Sequence, residues 1–175
     1  MKKRFLSVLT ALALCLTLLP EASLAAGTAP NRVTLAGTEL KSGNSYIPKA
    51  GGGIEETTDS PDTDYLTYDD GVLTVYGTVE VNGGNSAGLN FYNGTLTLAG
   101  DGALIIEASG SNSAVSGSPQ STLTTAEGFS ASIILGSANA PAVQNVKLDL
   151  TTGGNIRISS AKNSAVYTPR KIRYA

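Results

Sequence analysis

The sequence predicts an all-β chain: a short right-handed parallel β-helix with an N-terminal β-hairpin cap, truncated at its C-terminus. Three observations carry this. Short alternating apolar runs bounded by glycine and asparagine recur, and no window repeats apolar residues at intervals of three and four. A small motif returns at near-constant spacing, and two strand-like runs precede each copy.

The first element is a leader. Lys2, Lys3 and Arg4 form a positive start, residues 5–19 are an apolar run, and Pro20 closes it. Ser23 and Ala25 supply small residues at the −3 and −1 positions, so residues 1–25 read as a signal peptide cleaved after Ala25. A membrane anchor needs about 20 consecutive apolar residues, and Pro20 and Glu21 interrupt too early. Cys15 is the only cysteine, so the mature chain has no disulfide. With no histidine anywhere, Ser-His-Asp and Cys-His catalysis are excluded.

Taking Lys2, Lys3, Arg4 and Glu21 from 12 basic and 14 acidic residues leaves nine and thirteen, a mature net charge of −4. Nucleic acid is not an expected partner for such a chain. No membrane span follows the leader, and no cofactor is expected.

Residues 26–70 are the expected cap and acidic loop. Val33-Thr34-Leu35-Ala36-Gly37 and Asn44-Ser45-Tyr46-Ile47 are expected to pair as a hairpin across the end, followed by an acidic loop over residues 51–64. Asp59, Asp62 and Asp64 are the strongest calcium candidates, since that ion takes six to eight oxygen ligands. The spacing lacks the glycine and closing glutamate of an EF-hand loop, and a solvated loop is the expected reading. Asp69-Asp70-Gly71 reads as a tight turn into the first coil.

The coils occupy residues 71–166. Asn85-Ser86-Ala87, Asn112-Ser113-Ala114, Ala140-Pro141-Ala142 and Asn163-Ser164-Ala165 end successive units, their alanines 27, 28 and 23 positions apart. A first strand run recurs at residues 72–75, 95–98, 122–125 and 147–150, and a second at 79–81, 104–106, 132–134 and 156–158. Alternation sends Leu73, Val75, Leu96, Leu98, Leu123, Leu148 and Leu150 inward, with Leu73 expected beside Leu96. Thr74, Thr97, Thr124 and Asp149 then form an outward ladder. In the second run Val79, Val81, Leu104, Ile106, Ile156 and Ile158 point in, and Glu80, Ile105 and Arg157 point out. The third coil admits two registers over residues 131–135. Such units bury their inner faces only by stacking, each turn advancing about 4.8 Å. Residues 167–175 form an uncapped tail, which reads as a core interrupted.

A resemblance follows from these residues. Val33-Thr34-Leu35-Ala36-Gly37, the acidic loop, Tyr68-Asp69-Asp70-Gly71-Val72-Leu73-Thr74-Val75, Gly94-Thr95-Leu96-Thr97-Leu98 and Asn112-Ser113-Ala114 resemble large repetitive surface proteins of gut Firmicutes. These carry right-handed β-helices of the pectate-lyase-like type and are often labelled carbohydrate-binding domain-containing proteins. The leader resembles those of Gram-positive bacteria. The resemblance spans about residues 1 to 166 and rests on core and turn positions. It implies a secreted or cell-surface module contacting glycans or other cell-surface components.

Catalysis finds little support. Glycoside hydrolysis needs two carboxylates about 5 to 10 Å apart, yet the outward position of Glu80 carries Ile105 and Arg157 in other coils. Asp149 is alone among its equivalents, and Asp101 sits in a glycine turn. A lyase of this fold pairs calcium-binding acids with a basic residue. Arg157 is available, but no acid cluster shares its face. Tyr65, Tyr68, Tyr76, Tyr92 and Tyr167 are candidate sugar platforms, and no tryptophan is present. No two share a coil position, so no ligand-binding residues are assigned. The expectation is a non-catalytic module acting in carbohydrate binding or adhesion. The alternatives are a polysaccharide lyase or hydrolase-like enzyme and a structural stalk of a larger surface protein.

Overall fold

The computed structural model describes residues 27–58 and 63–167. The leader, Asp59, Asp62 and residues 168–175 lie outside the described residues. The regular elements are all strands: β1 (Arg32–Leu35), β2 (Thr38–Glu39), β3 (Asn44–Pro48), β4 (Ile54–Thr57), β5 (Tyr65–Asp69), β6 (Val72–Tyr76), β7 (Thr78–Asn82), β8 (Leu89–Tyr92), β9 (Gly94–Gly100), β10 (Ala103–Ala108), β11 (Val115–Thr125), β12 (Ile133–Ser137), β13 (Val143–Asp149), β14 (Ile156–Ser160) and β15 (Val166–Tyr167).

From β6 onward the strands wind into a β-solenoid of about four turns with three faces. The first face stacks β8, the start of β11, the start of β13 and β15 in parallel. The second stacks β6, β9 and the later halves of β11 and β13. β7, β10, β12 and β14 make the third, a separate four-stranded sheet. In two coils asparagine makes the bend between the first two faces, whereas β11 bends between Ser116 and Ser121 without one. Asn93 and Asn145 have φ of 51° and 58°, a left-handed conformation that asparagine tolerates better than most side chains. Each bend re-phases the alternation, so Phe91 and Leu96, five residues apart, are both buried, as are Val143 and Val146, three apart.

On the third face the inward columns are Val79–Leu104–Ile133–Ile156 and Val81–Ile106–Leu135–Ile158. Pairing on both sides therefore settles the third coil, with Ile133 and Leu135 inward and Ile134 outward. Ile156 departs from expectation. It belongs to the inward column but is 41% exposed, because no described strand backs the last coil.

On the second face Leu96, Leu123 and Leu148 stack as expected. β6 does not follow that alignment: Leu73 pairs with Leu98, and Val72 lies beside Thr97. The cause is a competitor for the same edge. Thr95 N donates to Thr28 O at 2.8 Å, so residues ahead of β1 occupy the first half of β9, and β6 joins only where Thr97 N donates to Gly71 O at 2.8 Å. A two-residue slip preserves which side chains face in. It also removes Thr74 from the outward ladder, which runs Val72–Thr97–Thr124–Asp149, and Thr97 and Thr124 within it are buried.

The recurring motif is a corner between the third and first faces. Leu89, Val115, Val143 and Val166 follow one another in register, which puts Gly88, Ala114, Ala142 and Ala165 in a column of small residues one place earlier. Gly88 replaces the expected Ala87 there. A Cβ on Gly88 would stand 2.2 Å from Ile106 Cγ2 and 2.6 Å from Ala114 O, so only glycine fits. Polar bonds tie one corner to the next: Ser137 Oγ donates to Asn112 O at 2.8 Å, Ser160 Oγ to Ala140 O at 2.7 Å, and Asn163 Nδ2 to Asn139 O at 3.0 Å. The motif is thus explained by coil-to-coil bonding.

The N-terminal cap is an antiparallel extension of the coil sheet, but the expected hairpin does not form. β1 turns back into β2 through Ala36 and Gly37, both with positive φ, and lies antiparallel on β8. β3 pairs instead with β4 and β5, and β5 joins β6 through the Asp70-Gly71 turn. Two-residue turns with positive φ at both positions match the strand twist, so local hairpins win over the longer-range pairing. β3 and β5 fold against β7, burying Tyr46, Leu66 and Ile54 over the end of the solenoid. The sheet's outermost strands, β2 and β4, meet there: Thr38 Oγ1 donates to Ile54 O at 3.4 Å.

Candidate ligand-binding face

The outer surface of the first face gathers the polar and aromatic groups. Alternation buries Val33, Leu35, Leu89, Phe91, Val115 and Val143, and turns their neighbours out. Thr34, Asn90, Ser116, Gln144 and Tyr167 then form one row across the coils, with Arg32 and Tyr92 paired beside it. Tyr92 is 46% and Tyr167 54% exposed. Three strand spacings and two residues separate them, roughly 16 Å. Two aromatic rings thus bracket a strip containing two planar amides and hydroxyls. Asn90 Nδ2 donates to Tyr92 Oη at 3.2 Å, and Ser113 Oγ to Gln144 Oε1 at 3.3 Å.

A cavity of about 250 Å³ lies at the capped end of this face, between the β1–β2 hairpin and β8. Arg32, Thr34, Ser86, Asn90 and Tyr92 supply its side chains, and Gly37 closes one wall near Ser86. Arg32 Nη2 lies 3.1 Å from Glu39 Oε2, so its charge is matched at the surface. Asn90 Oδ1 is enclosed without a hydrogen-bond partner.

A second concavity, an open groove of about 600 Å³, runs along the corner after β11 and β13. Glu127 and Asp149 both line it, with Thr124, Thr125, Thr151 and Phe129. Coil alignment did not reveal that these two acids share a groove; Asp149 Oδ2 itself lies 4.0 Å from Lys147 Nζ. Glu80 and Arg157 do not converge; two coils separate them in the column Glu80–Ile105–Ile134–Arg157.

The remaining candidates have structural partners. Tyr65 and Tyr76 stack on each other across the β5–β6 hairpin, ring centroids 4.3 Å apart. Tyr68 is buried, and burial raises its hydroxyl pKa above 10.0, the Gly71 backbone hydrogen bond opposing and the Asp70 and Asp69 carboxylates reinforcing the shift. Asp64 Oδ1 accepts from Thr78 N at 2.7 Å, and Asp69 accepts from the Ser42 hydroxyl. The acidic stretch is partly a strand: Glu55 and Glu56, on β4, face Lys49 and Lys41 at 3.4 and 3.3 Å. Among the described residues no three acidic side chains are grouped to hold a metal ion, and no helix is long and apolar enough to cross a membrane.

Arg32, Asn90, Ser116 and Gln144 escaped the sequence reading; their only signal is the polar half of short alternating strands beginning at Arg32, Leu89, Val115 and Val143. Comparison with family models, curated proteins and solved structures found no match.

Proposed function

We propose that this chain is an exported, non-catalytic module of the cell surface that binds carbohydrate through its first face and acts in adhesion. The observation that carries the reading is the outer surface on which the row Asn90–Ser116–Gln144 ends in exposed Tyr167 at one side and has exposed Tyr92 next to Asn90 at the other. Rings give apolar faces for the C–H side of a sugar, and fixed amides and hydroxyls give directional bonds to its hydroxyls, the combination that ordinarily orients a polar ligand. The coils hold these groups on paired strands, so little ordering is needed on binding. The apolar run behind Lys2, Lys3 and Arg4 supports export, and the likeness to repetitive surface proteins supports a surface location.

The test is a glycan array probed with the full chain and with the Tyr92→Ala/Tyr167→Ala double variant. Binding to a defined glycan group, lost in the double variant while its circular dichroism is unchanged, supports the reading. No binding above background by the folded wild type refutes it. The groove containing Glu127 and Asp149 favours a second, hydrolytic reading. Release of reducing ends from the bound glycan, abolished by Glu127→Gln, would establish that one instead.

A further inference from the structure

We infer that the outer surface of the third face docks a second copy of this chain, packed against the same face with its coils in reverse order. The contact leaves the first face free in both copies, so it stands independently of the carbohydrate reading.

Composition provides the first argument. The outward column of this sheet is Glu80–Ile105–Ile134–Arg157, and its two middle members are half-buried aliphatic side chains turned away from the core. A sheet face turned to water ordinarily carries polar groups there. The other two faces obey that rule, with Asn90, Ser116 and Gln144 outward on the first and Thr97 and Thr124 on the second. Ala103 and Ser132 stand on one flank of the isoleucines, and Glu107 and Gly136 on the other. With mostly small neighbours, the pair forms a low apolar ridge. The strands that meet β10 and β12 are their sheet neighbours and, at the corner, β6, so no described strand covers the ridge.

Charge provides the second argument and fixes the occupant. Glu80 and Arg157 end the column on opposite sides, three strand spacings or roughly 14 Å apart. Both are exposed, and neither joins an ion pair among the described residues. A two-fold axis running along the strands reverses coil order across the interface. Glu80 of each copy then faces Arg157 of the other, and Ile105 faces Ile134, so the surface complements itself. An axis along the solenoid would instead oppose Glu80 to Glu80 and Arg157 to Arg157, which like-charge repulsion disfavours. Glu107 is the remaining charge on the outer side of these strands, and in the reversed arrangement it meets Gly136, not another acid. Four strands about 4.8 Å apart, each with about five residues rising ~3.3 Å, cover roughly 300 Å². That is small beside the ~800 Å² each member of a stable complex buries, so the association is weak and concentration-dependent.

The experiment is sedimentation velocity of the full chain up to about 1 mM, the weak end of specific association. A monomer–dimer equilibrium is expected. Glu80→Arg sets arginine against Arg157 and is expected to weaken the dimer about tenfold, as is Arg157→Glu by opposing two acids. The two together restore the pairing to within about threefold. Ile134→Thr, which keeps a strand-favouring side chain, is expected to weaken the dimer roughly fivefold through lost apolar contact. In the isotope-labelled wild type, the methyl signals of Ile105 and Ile134 are expected to shift with concentration. A chain that stays monomeric overturns the proposal, as does a dimer indifferent to Glu80→Arg or a folded double variant no tighter than the single ones. Methyl shifts confined to Ile156 place the contact at the open end of the last coil and overturn it as well. These spectra are read on the unmutated protein, so a folding defect in a variant does not blunt the test.

Discussion

Replacing Leu123 by alanine cuts the aliphatic column of the second face in its middle. Leu123 is 1% exposed and stands in register between Leu96 and Leu148. The change removes three carbons, about 2.4 kcal/mol of transfer free energy at ~0.8 kcal/mol each. Coils above and below hold the surrounding strands apart, so the space collapses poorly, and a cavity term brings the expected total to roughly 3–5 kcal/mol. The same substitution at Leu148 is the control. That side chain is only partly buried against the core, at the end of the stack, and its loss is expected to cost about 1–2 kcal/mol, near the mean for single substitutions. Urea unfolding followed by far-ultraviolet circular dichroism measures both. With a slope of about 2 kcal/mol per molar for a chain of this size, Leu123→Ala lowers the midpoint by roughly 1.5–2.5 M. Equal costs at the two positions, or a loss below 1 kcal/mol at Leu123, would refute the claim that coil-on-coil stacking carries the stability.

Gly88→Ala is expected to destabilise by about 1–3 kcal/mol, because the new methyl meets the backbone oxygen of Ala114 as well as Ile106; a change within 0.5 kcal/mol in urea unfolding would show that the corner is loose. Tyr68 has a folded pKa raised above 10.0, chiefly by burial. Its contribution is therefore complete below about pH 10 and is lost as pH rises through the unfolded value toward the folded one. Tyr68→Phe should flatten the alkaline fall in the urea midpoint, and an unchanged pH profile would count against this origin.

The aliphatic half of the solenoid was legible because burial imposes a period of two on residues such as Val79, Val81, Leu104 and Ile106. Register was less so. A slip of two leaves every side chain on its original face, so nothing in Leu73 or Val75 distinguishes Leu98 from Leu96 as a partner; the decision lies with Thr28, which takes the competing edge. The first face was missed as a face. Its strand β11 carries Gly117 at the inward position aligned with Phe91, where alternation would need a larger residue, and the left-handed asparagines break the period. Tyr92 and Tyr167 accordingly sit at different offsets from their corner motifs and still share one surface. Lys41 and Glu56 are 15 residues apart, and only the β3–β4 pairing brings them within 3.3 Å.

The antiparallel cap over β7 gives the molecule a fixed end and an adjustable one. With that end covered, lengthening by duplicated turns is confined to the stack beyond β8, where a turn inserted between two coils finds ladder partners on both sides. The Arg32–Asn90–Tyr92 cavity belongs to the capped end, whereas Tyr167 rides on the last described turn. Every turn gained moves the two rings apart by about 4.8 Å, so turn number acts as a ruler for the length of whatever lies along that strip.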